Sequence, residues 1–352
     1  PSINNMWNSN SRFLKSVFSR FFSTQIIELL EKHNLEVSLE RGGRYFPSSN
    51  RSSDVLNALL KWVNAQDVEI RYNQRAEKLI IQDNVIQGIR INGMDFFSEK
   101  VVIAKGGKSY PATGSNGEGY ELAKQAGHCI IEPRPSLVPL ETEGDLAKQL
   151  QGLSLKNVVV ALWINGKKKA EDFGEMLFTH FGISGPIILT LSRIAVEELK
   201  NGQLVEIYID LKPALDDKKL DNRLLREFEE NGKKKISNVF RHLMPSAMVP
   251  VFLKLTSLDP DKQCHQVSSK ERKRIRYYLK NLPFKITAHR SFKEAIVTAG
   301  GVSTKEISSK TMESKLIKGL HFAGEIIDLD AKTGGYNLQI AYSTGWLAGD
   351  SV

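Results

Sequence analysis

The stretch Gly319-Leu-His-Phe-Ala-Gly-Glu-Ile-Ile-Asp-Leu-Asp330, continued by Ala331-Lys-Thr-Gly-Gly-Tyr-Asn-Leu-Gln-Ile-Ala-Tyr-Ser-Thr-Gly-Trp-Leu-Ala-Gly349, decides how the chain is read. Leu320, Phe322 and Ala323 predict a short buried strand, and Gly324 ends it just before Glu325. Leu338, Ala341, Tyr342, Gly345 and Ala348 fall at helical spacing, so Gly334-Gly335 reads as a turn opening a helix. A strand end, a carboxylate and the free N–H groups of a helix start make a cradle for an anion, or for a ring that becomes anionic on reduction. The same pattern also suits a surface strand-turn-helix whose glycines serve only the turn.

Working outward, residues 68–103 alternate apolar and polar positions from Val68 and Ile70 to Val101-Val-Ile103, with turns at Asp83-Asn84 and Asn92-Gly93. They predict a small meander feeding a buried strand. That strand runs into Ala104-Lys-Gly-Gly-Lys-Ser-Tyr-Pro-Ala-Thr-Gly-Ser-Asn-Gly-Glu-Gly-Tyr120, which sets glycine backbone at the carboxyl end of a strand. No Gly-Lys-Ser/Thr follows at the interval of a nucleoside-triphosphate loop. Earlier, residues 11–33 read as two amphipathic helices after an irregular lead-in at Asn4 and Asn5, Gly42-Gly-Arg-Tyr-Phe-Pro47 reads as a turn, and Ser53–Trp62 as a capped helix. Past the linker Pro133–Pro139, strands are expected at 154–164, 173–178 and 203–211, and helices at 220–228, 236–243, 247–255 and 269–282. Within this part Thr179, His180, Ser184 and Gly185 form a polar turn before the helix 187–199, suited to an anion or a carbonyl. A lone histidine is more often structural than catalytic, and no nucleophile-elbow sequence accompanies it.

Five of these segments resemble, in order and spacing, the HI0933-like flavoproteins, also described as the aminoacetone oxidase family of FAD-binding enzymes. The resemblance rests on Gly43-Arg44-x-Phe46-Pro47, the 104–120 loop, Phe178-Thr-His-Phe-Gly-Ile-Ser-Gly-Pro186, Thr298-x-Gly-Gly-Val302, and the C-terminal stretch. It implies an α/β fold: a two-dinucleotide-binding, Rossmann-like flavoprotein domain with an inserted β-barrel-like domain and a helical lobe. The FAD domain would comprise 1–136 and 296–352, the β-rich insert 137–212 and 284–295, and the helical lobe 213–283. It further implies FAD contacts from Gly106, Gly107, Ser109, Tyr110, Gly114, Gly117, Gly324, Glu325, Asp328, Gly334, Gly335, Tyr336, Asn337 and Leu338. Thr179, His180 and Ser184 would act on substrate, with NAD(P)H a candidate electron donor. Lys105 stands where the family's related strand end carries threonine, so no hydroxyl acts there. The family opens with a strand, a Gly-x-Gly-x-x-Gly turn and a helix that hold the FAD pyrophosphate; these 352 residues contain none.

At 352 residues, with 41% apolar and 25% charged, the chain has the composition of a globular protein of two or three domains. No apolar run approaches the roughly 20 residues of a membrane helix, and no signal-peptide pattern opens the chain, so the cytoplasm is the default expectation. Two cysteines, Cys129 and Cys264, without a C-x-x-C pair support neither a disulfide framework nor a dithiol redox centre. The net charge of +9 permits nucleic-acid attraction, but its densest run, 270–280, reads first as a solvated helix face, which makes nucleic acid a less favoured partner than a small molecule. The chain begins with proline and ends at Asp350-Ser-Val352 without a cap, and so is expected to be part of a longer protein; these 352 residues alone are expected to bind FAD weakly. The resulting expectation is an FAD-dependent oxidoreductase acting on a small organic substrate by hydride transfer. An RNA-binding or RNA-modifying flavoprotein and a non-catalytic remnant are the alternatives.

Overall fold

Val101–Ile103 and Leu320–Phe322 pair as parallel neighbours, with Leu320 opposite Val101 and Phe322 opposite Ile103. Both strands are three residues long, and Leu320, His321 and Phe322 are all buried. This is the pattern of a strand covered on both faces, where the apolar run need not alternate. The computed structural model that shows this describes residues 11–40 and 43–352. It divides into two units, Pro1–Pro135 with Ile296–Val352, and Ser136–Ala295. Asn4 and Asn5 of the expected lead-in, and Gly42 of the expected turn, lie outside the described residues.

In the first unit the parallel pair packs among Leu14, Val17, Ile86, Tyr120, Ile326 and Leu347, a single buried cluster. Each such side chain, fully buried, contributes about 1.5–3 kcal/mol. The meander is Ala76–Gln82, Val85–Ile91 and Met94–Phe97, all antiparallel. Its turns at Asp83-Asn84 and Asn92-Gly93 hold positive φ at both central residues, as two-residue hairpins demand. Val68 and Ile70, expected to begin it, are exposed and precede the first strand. Arg44–Pro47, expected as a turn, is a strand pairing with Val37–Glu40; Tyr45 and Phe46 favour the extended backbone.

The terminal helix Tyr336–Gly349 forms as expected but buries a different face. Gln339, Ile340, Ser343, Thr344, Leu347 and Ala348 face inward, whereas Leu338 is 62% exposed. Hydroxyls can face the core here because their bonds are met locally. Thr344 donates to the Ile340 carbonyl at 2.7 Å, and the Gln339 amide donates to Ser343 at 2.8 Å. On the outer side Trp346 stacks on Phe21 at 4.6 Å.

The second unit is built on a closed barrel in which Lys167–Phe178, Gly182–Ser184, Leu140–Thr142, Leu282–His289, Val205–Asp210 and Ser154–Ile164 follow one another around the wall. Its neighbours pair antiparallel, and Val205, Ile207 and Ile209 alternate inward with period two. The strand expected at 173 begins at Lys167, because a bulge between Lys168 and Ala170 lets it continue directly from the Asn165-Gly166 turn. The helix Pro186–Lys200 covers the barrel through Ile187, Ile188, Leu191 and Ala195. Helices Asp217–Glu230, Val249–Thr256 and Ser269–Lys280 share one apolar cluster with the barrel. Ser268 and Glu271 close the capping box of the last.

Candidate functional site

Beyond the parallel pair, the Ala323 N–H donates to the Ile103 carbonyl at 3.1 Å. One chain then enters Lys105–Gly107 and the other the turn Gly324–Ile326. The carboxyl ends of parallel strands are where open α/β sheets take ligands. Here three distant segments meet. A Cβ at Gly107 would collide with Thr298 and come within 2.5 Å of Glu325 Oε1. The Thr298 N–H donates to Glu325 Oε1 at 2.9 Å, and its hydroxyl accepts the N–H groups of Lys108 at 2.8 Å and Ser109 at 3.1 Å. Only a residue without a side chain fits at 107.

Burial pushes the Glu325 carboxyl above its usual range and the charge of Asp330 adds to this, while the bonds from Thr298 oppose it. Beside it the Tyr120 side chain is buried and its hydroxyl has no hydrogen-bond partner. Burial raises the phenol's pKa, and the charges of Glu325 and Asp328 raise it further. A buried hydroxyl without a partner is costly unless a ligand completes it. The sequence reading missed Tyr120 as a site residue. Its only signal there was its place at the end of the Gly-rich loop.

Lys105, which replaces the family's threonine, pairs with Glu118 at 2.6 Å, and Arg75 reaches the same carboxylate at 2.9 Å. The bond from Lys105 holds the Glu118 carboxyl below its usual range. Ser109 is buried, 3.1 Å from the Thr298 hydroxyl. Tyr110, about half exposed, leads the turn Pro111–Thr113, and Gly114 and Gly117 carry the chain into the helix Glu118–Gln125. Gly106 packs next to Ser115.

At the C-terminal stretch Gly324 donates its N–H to the Thr344 hydroxyl at 2.9 Å, tying turn to helix. The Asp328 N–H donates to the Val302 carbonyl at 3.0 Å. The Asn337 side chain exchanges two 2.9 Å bonds with the Ala331 backbone, so it fastens the loop before the helix. Gly334 lies beside the Tyr336 ring, and Leu338 points to solvent. Gly335 caps the helix at φ 90°, and nothing lies within 4 Å of a Cβ built on it. The space over this helix start is open, and its first N–H groups lack helical partners.

In the second unit Thr179 and Gly182 close the turn between Lys167–Phe178 and Gly182–Ser184. The Thr179 N–H donates to the Gly182 carbonyl at 2.8 Å, and its hydroxyl accepts the Gly182 N–H at 3.1 Å. His180 sits exposed at the tip, edge-on to Phe181 at 4.9 Å. Ser184 is half-buried opposite Leu177, one residue before Gly185 and the helix Pro186–Lys200. Arg290, unremarked in the sequence, braces the turn from below. It lies 4.5 Å from the Phe181 ring and bonds Glu141 and Glu294 at 2.8 Å each. These bonds, that to Glu294 foremost, raise its pKa. Among the described residues no His, Cys, Asp or Glu cluster could hold a metal ion, and no helix is long and apolar enough to cross a membrane.

A family model described as HI0933-like protein Rossmann domain matches residues 2–351. The 3-dehydro-bile acid delta(4,6)-reductase of Clostridium scindens is 29% identical over 337 residues, covering 96% of this chain and 82% of that protein. The ribosomal RNA dihydrouridine synthase of Escherichia coli is 30% identical over 341 residues, covering 96% and 81%. Its counterpart from Haemophilus influenzae is 28% identical over 348 residues, covering 97% and 83%. With the family model spanning almost all 352 residues, this chain belongs to the HI0933-like Rossmann-domain family.

Proposed function

We propose that the protein is a flavin-dependent reductase that adds hydrogen across a carbon–carbon double bond conjugated to a carbonyl. The observation that carries this is the convergence of Gly107, Thr298 and Glu325 at the end of the parallel strands, with the unpartnered Tyr120 hydroxyl beside them. These residues fit a flavin. They offer a carboxylate and a phenol for hydroxyl groups, and glycine backbone that a flat ring can approach. Gly106, Gly107, Ser109, Tyr110, Gly114 and Gly117 would form one wall, with Gly324, Glu325 and Asp328 and the helix start Gly334–Leu338 forming the other. FAD bound there supplies two-electron redox chemistry. Two dinucleotide-binding halves in the fold belong to this same proposal.

The names of the relatives support the reaction class. A bile acid delta(4,6)-reductase and a dihydrouridine synthase both saturate a double bond, the one in a steroid, the other in a pyrimidine base. In such a reduction one carbon receives hydride and its neighbour a proton. His180, exposed and without an internal hydrogen bond among the described residues, is suited to give that proton from its ring N–H. Thr179 and Ser184 would shape the same turn against the substrate.

The RNA reading is favoured by the two dihydrouridine synthases. It draws no support from the basic helix. Arg272 pairs with Asp221 at 3.1 Å, Arg276 with Asp217 at 3.4 Å, and Lys280 with Asp210 at 2.5 Å. The deciding assay supplies excess FAD and a nicotinamide or chemical reductant, then follows double-bond loss in a steroid dienone, a simple enone and a uridine-containing RNA. Turnover of either conjugated small molecule supports the proposal, turnover of RNA alone selects the second reading, and no turnover of any contradicts both.

A further inference from the structure

A second cleft, of about 420 Å³, lies within the barrel-and-helix unit, between the start of Ser154–Ile164, the end of Val205–Asp210 and the turn Phe240–His242. Accessible Leu211 and Pro245 line its wall over buried Leu155, Leu243 and Met248, and Lys156, Lys212 and Arg241 bring three positive charges to it. None of the three cations forms an ion pair among the described residues, although neighbouring basic groups do: His242 is bonded to Glu227 at 3.3 Å, and Arg223 lies 4.0 Å from the same carboxylate. Charges on a protein surface normally find partners or full solvent. Lys212 has neither, being only partly exposed.

We propose that this cleft binds a small amphiphilic anion, with its acidic head held by Lys156, Lys212 and Arg241 and its apolar body laid on Leu211 and Pro245. Burial, helped by the charge of Arg223, pulls the Lys212 ammonium below its usual range. An arriving carboxylate would restore it, so the site gains from an anion beyond simple attraction. The volume falls within the range of small-molecule sites. A phosphodiester chain is the poorer fit. It asks for successive charges along an open face, whereas these three charges line one cleft beside Leu211 and Pro245. The site does not depend on the flavin assignment, since all its residues belong to the barrel-and-helix unit.

The test is calorimetric titration of the full chain with dodecanoate below its micelle concentration, with dodecanol, with inorganic phosphate, and with a short oligouridylate. Dodecanoate should bind once per chain, and dodecanol and phosphate more weakly. Arg241→Gln and Lys212→Met should each weaken dodecanoate about tenfold, a loss of about 1.4 kcal/mol. Arg241 is exposed, so its substitution leaves the fold intact and keeps the test valid if the Lys212 variant misfolds. Absence of dodecanoate binding, binding indifferent to Arg241→Gln, phosphate binding as tight as dodecanoate, or Arg241-dependent oligouridylate binding in preference to dodecanoate would each overturn the proposal.

Discussion

The crevice at the parallel strand ends and the turn at the barrel end are both glycine-rich, yet they are built in opposite ways. Around Gly107 the side chains of Thr298 and Glu325 are packed so closely that a single added carbon has no room. Around His180 the chain is braced from beneath, and the imidazole is left exposed. A group that stays bound is held by shape and by backbone, which cannot swing away. A group that comes and goes is met by side chains whose hydrogen bonds are still unmade. On the proposed function, residues of the first kind should govern stability and retention, and those of the second kind turnover.

The sharpest way to break the comparison is at the turn. His180→Gln should lower turnover by about a hundredfold or more while leaving flavin content and melting temperature unchanged. A variant as active as the parent makes the exposed imidazole a surface residue and nothing else. At the crevice, Gly107→Val should destabilise the fold by about 1–3 kcal/mol through overpacking against Thr298, read as a lowered denaturant midpoint at constant slope. Unaltered stability would mean the segments do not converge as described.

A smaller effect is expected at Arg290. Arg290→Met keeps contact with Phe181 but loses both carboxylates, and should cost about 1 kcal/mol or less because the pairs are partly solvated. Turnover should fall more than stability, since the brace positions the turn. Unchanged turnover would remove Arg290 from the account.

The mildest effect concerns pH. His128 is buried between Glu306, 3.1 Å from Nδ1, and Ser314, 2.8 Å from Nε2. Burial lowers its pKa, against the opposing pull of Glu306. The folded protein therefore holds it neutral, and the unfolded chain takes up the proton first. Its stability contribution is fully present above the unfolded value of about 6.5 and is lost as pH falls from there through the depressed folded value. Denaturation midpoints measured across that window should fall with acidity in the parent and more shallowly in His128→Gln. Parallel curves would show that the histidine does not titrate with folding.

Much of the fold was legible because its signals are local. Asp83-Asn84 and Asn92-Gly93 specify hairpins by their tolerance of positive φ, and the Val101–Ile103 strand announces itself by running straight into glycine. The inward face of the last helix was not legible. Ser343 and Thr344 look polar by type, but their bonds are satisfied within the helix or by Gly324, so burial costs them little. The candidate site divides the same way. Gly107 and Glu325 stand out by motif. Tyr120 and Arg290 do not, because what marks them is a missing partner in one case and, in the other, contacts to Glu141 and Phe181 that lie far from Arg290 in sequence.

The central claim, that the open helix start at Gly335 faces a bound flavin, is tested most directly by fluorescence titration with FAD of the parent, Gly335→Val and Gly202→Val. Gly335 and Gly202 both hold positive φ with nothing within 4 Å of an added Cβ, so the two substitutions strain the backbone alike and differ in where the side chain projects. The account predicts saturable quenching in the parent and in Gly202→Val, and binding weaker by about tenfold or more in Gly335→Val. Identical titrations of all three proteins, each shown to be folded, would contradict it.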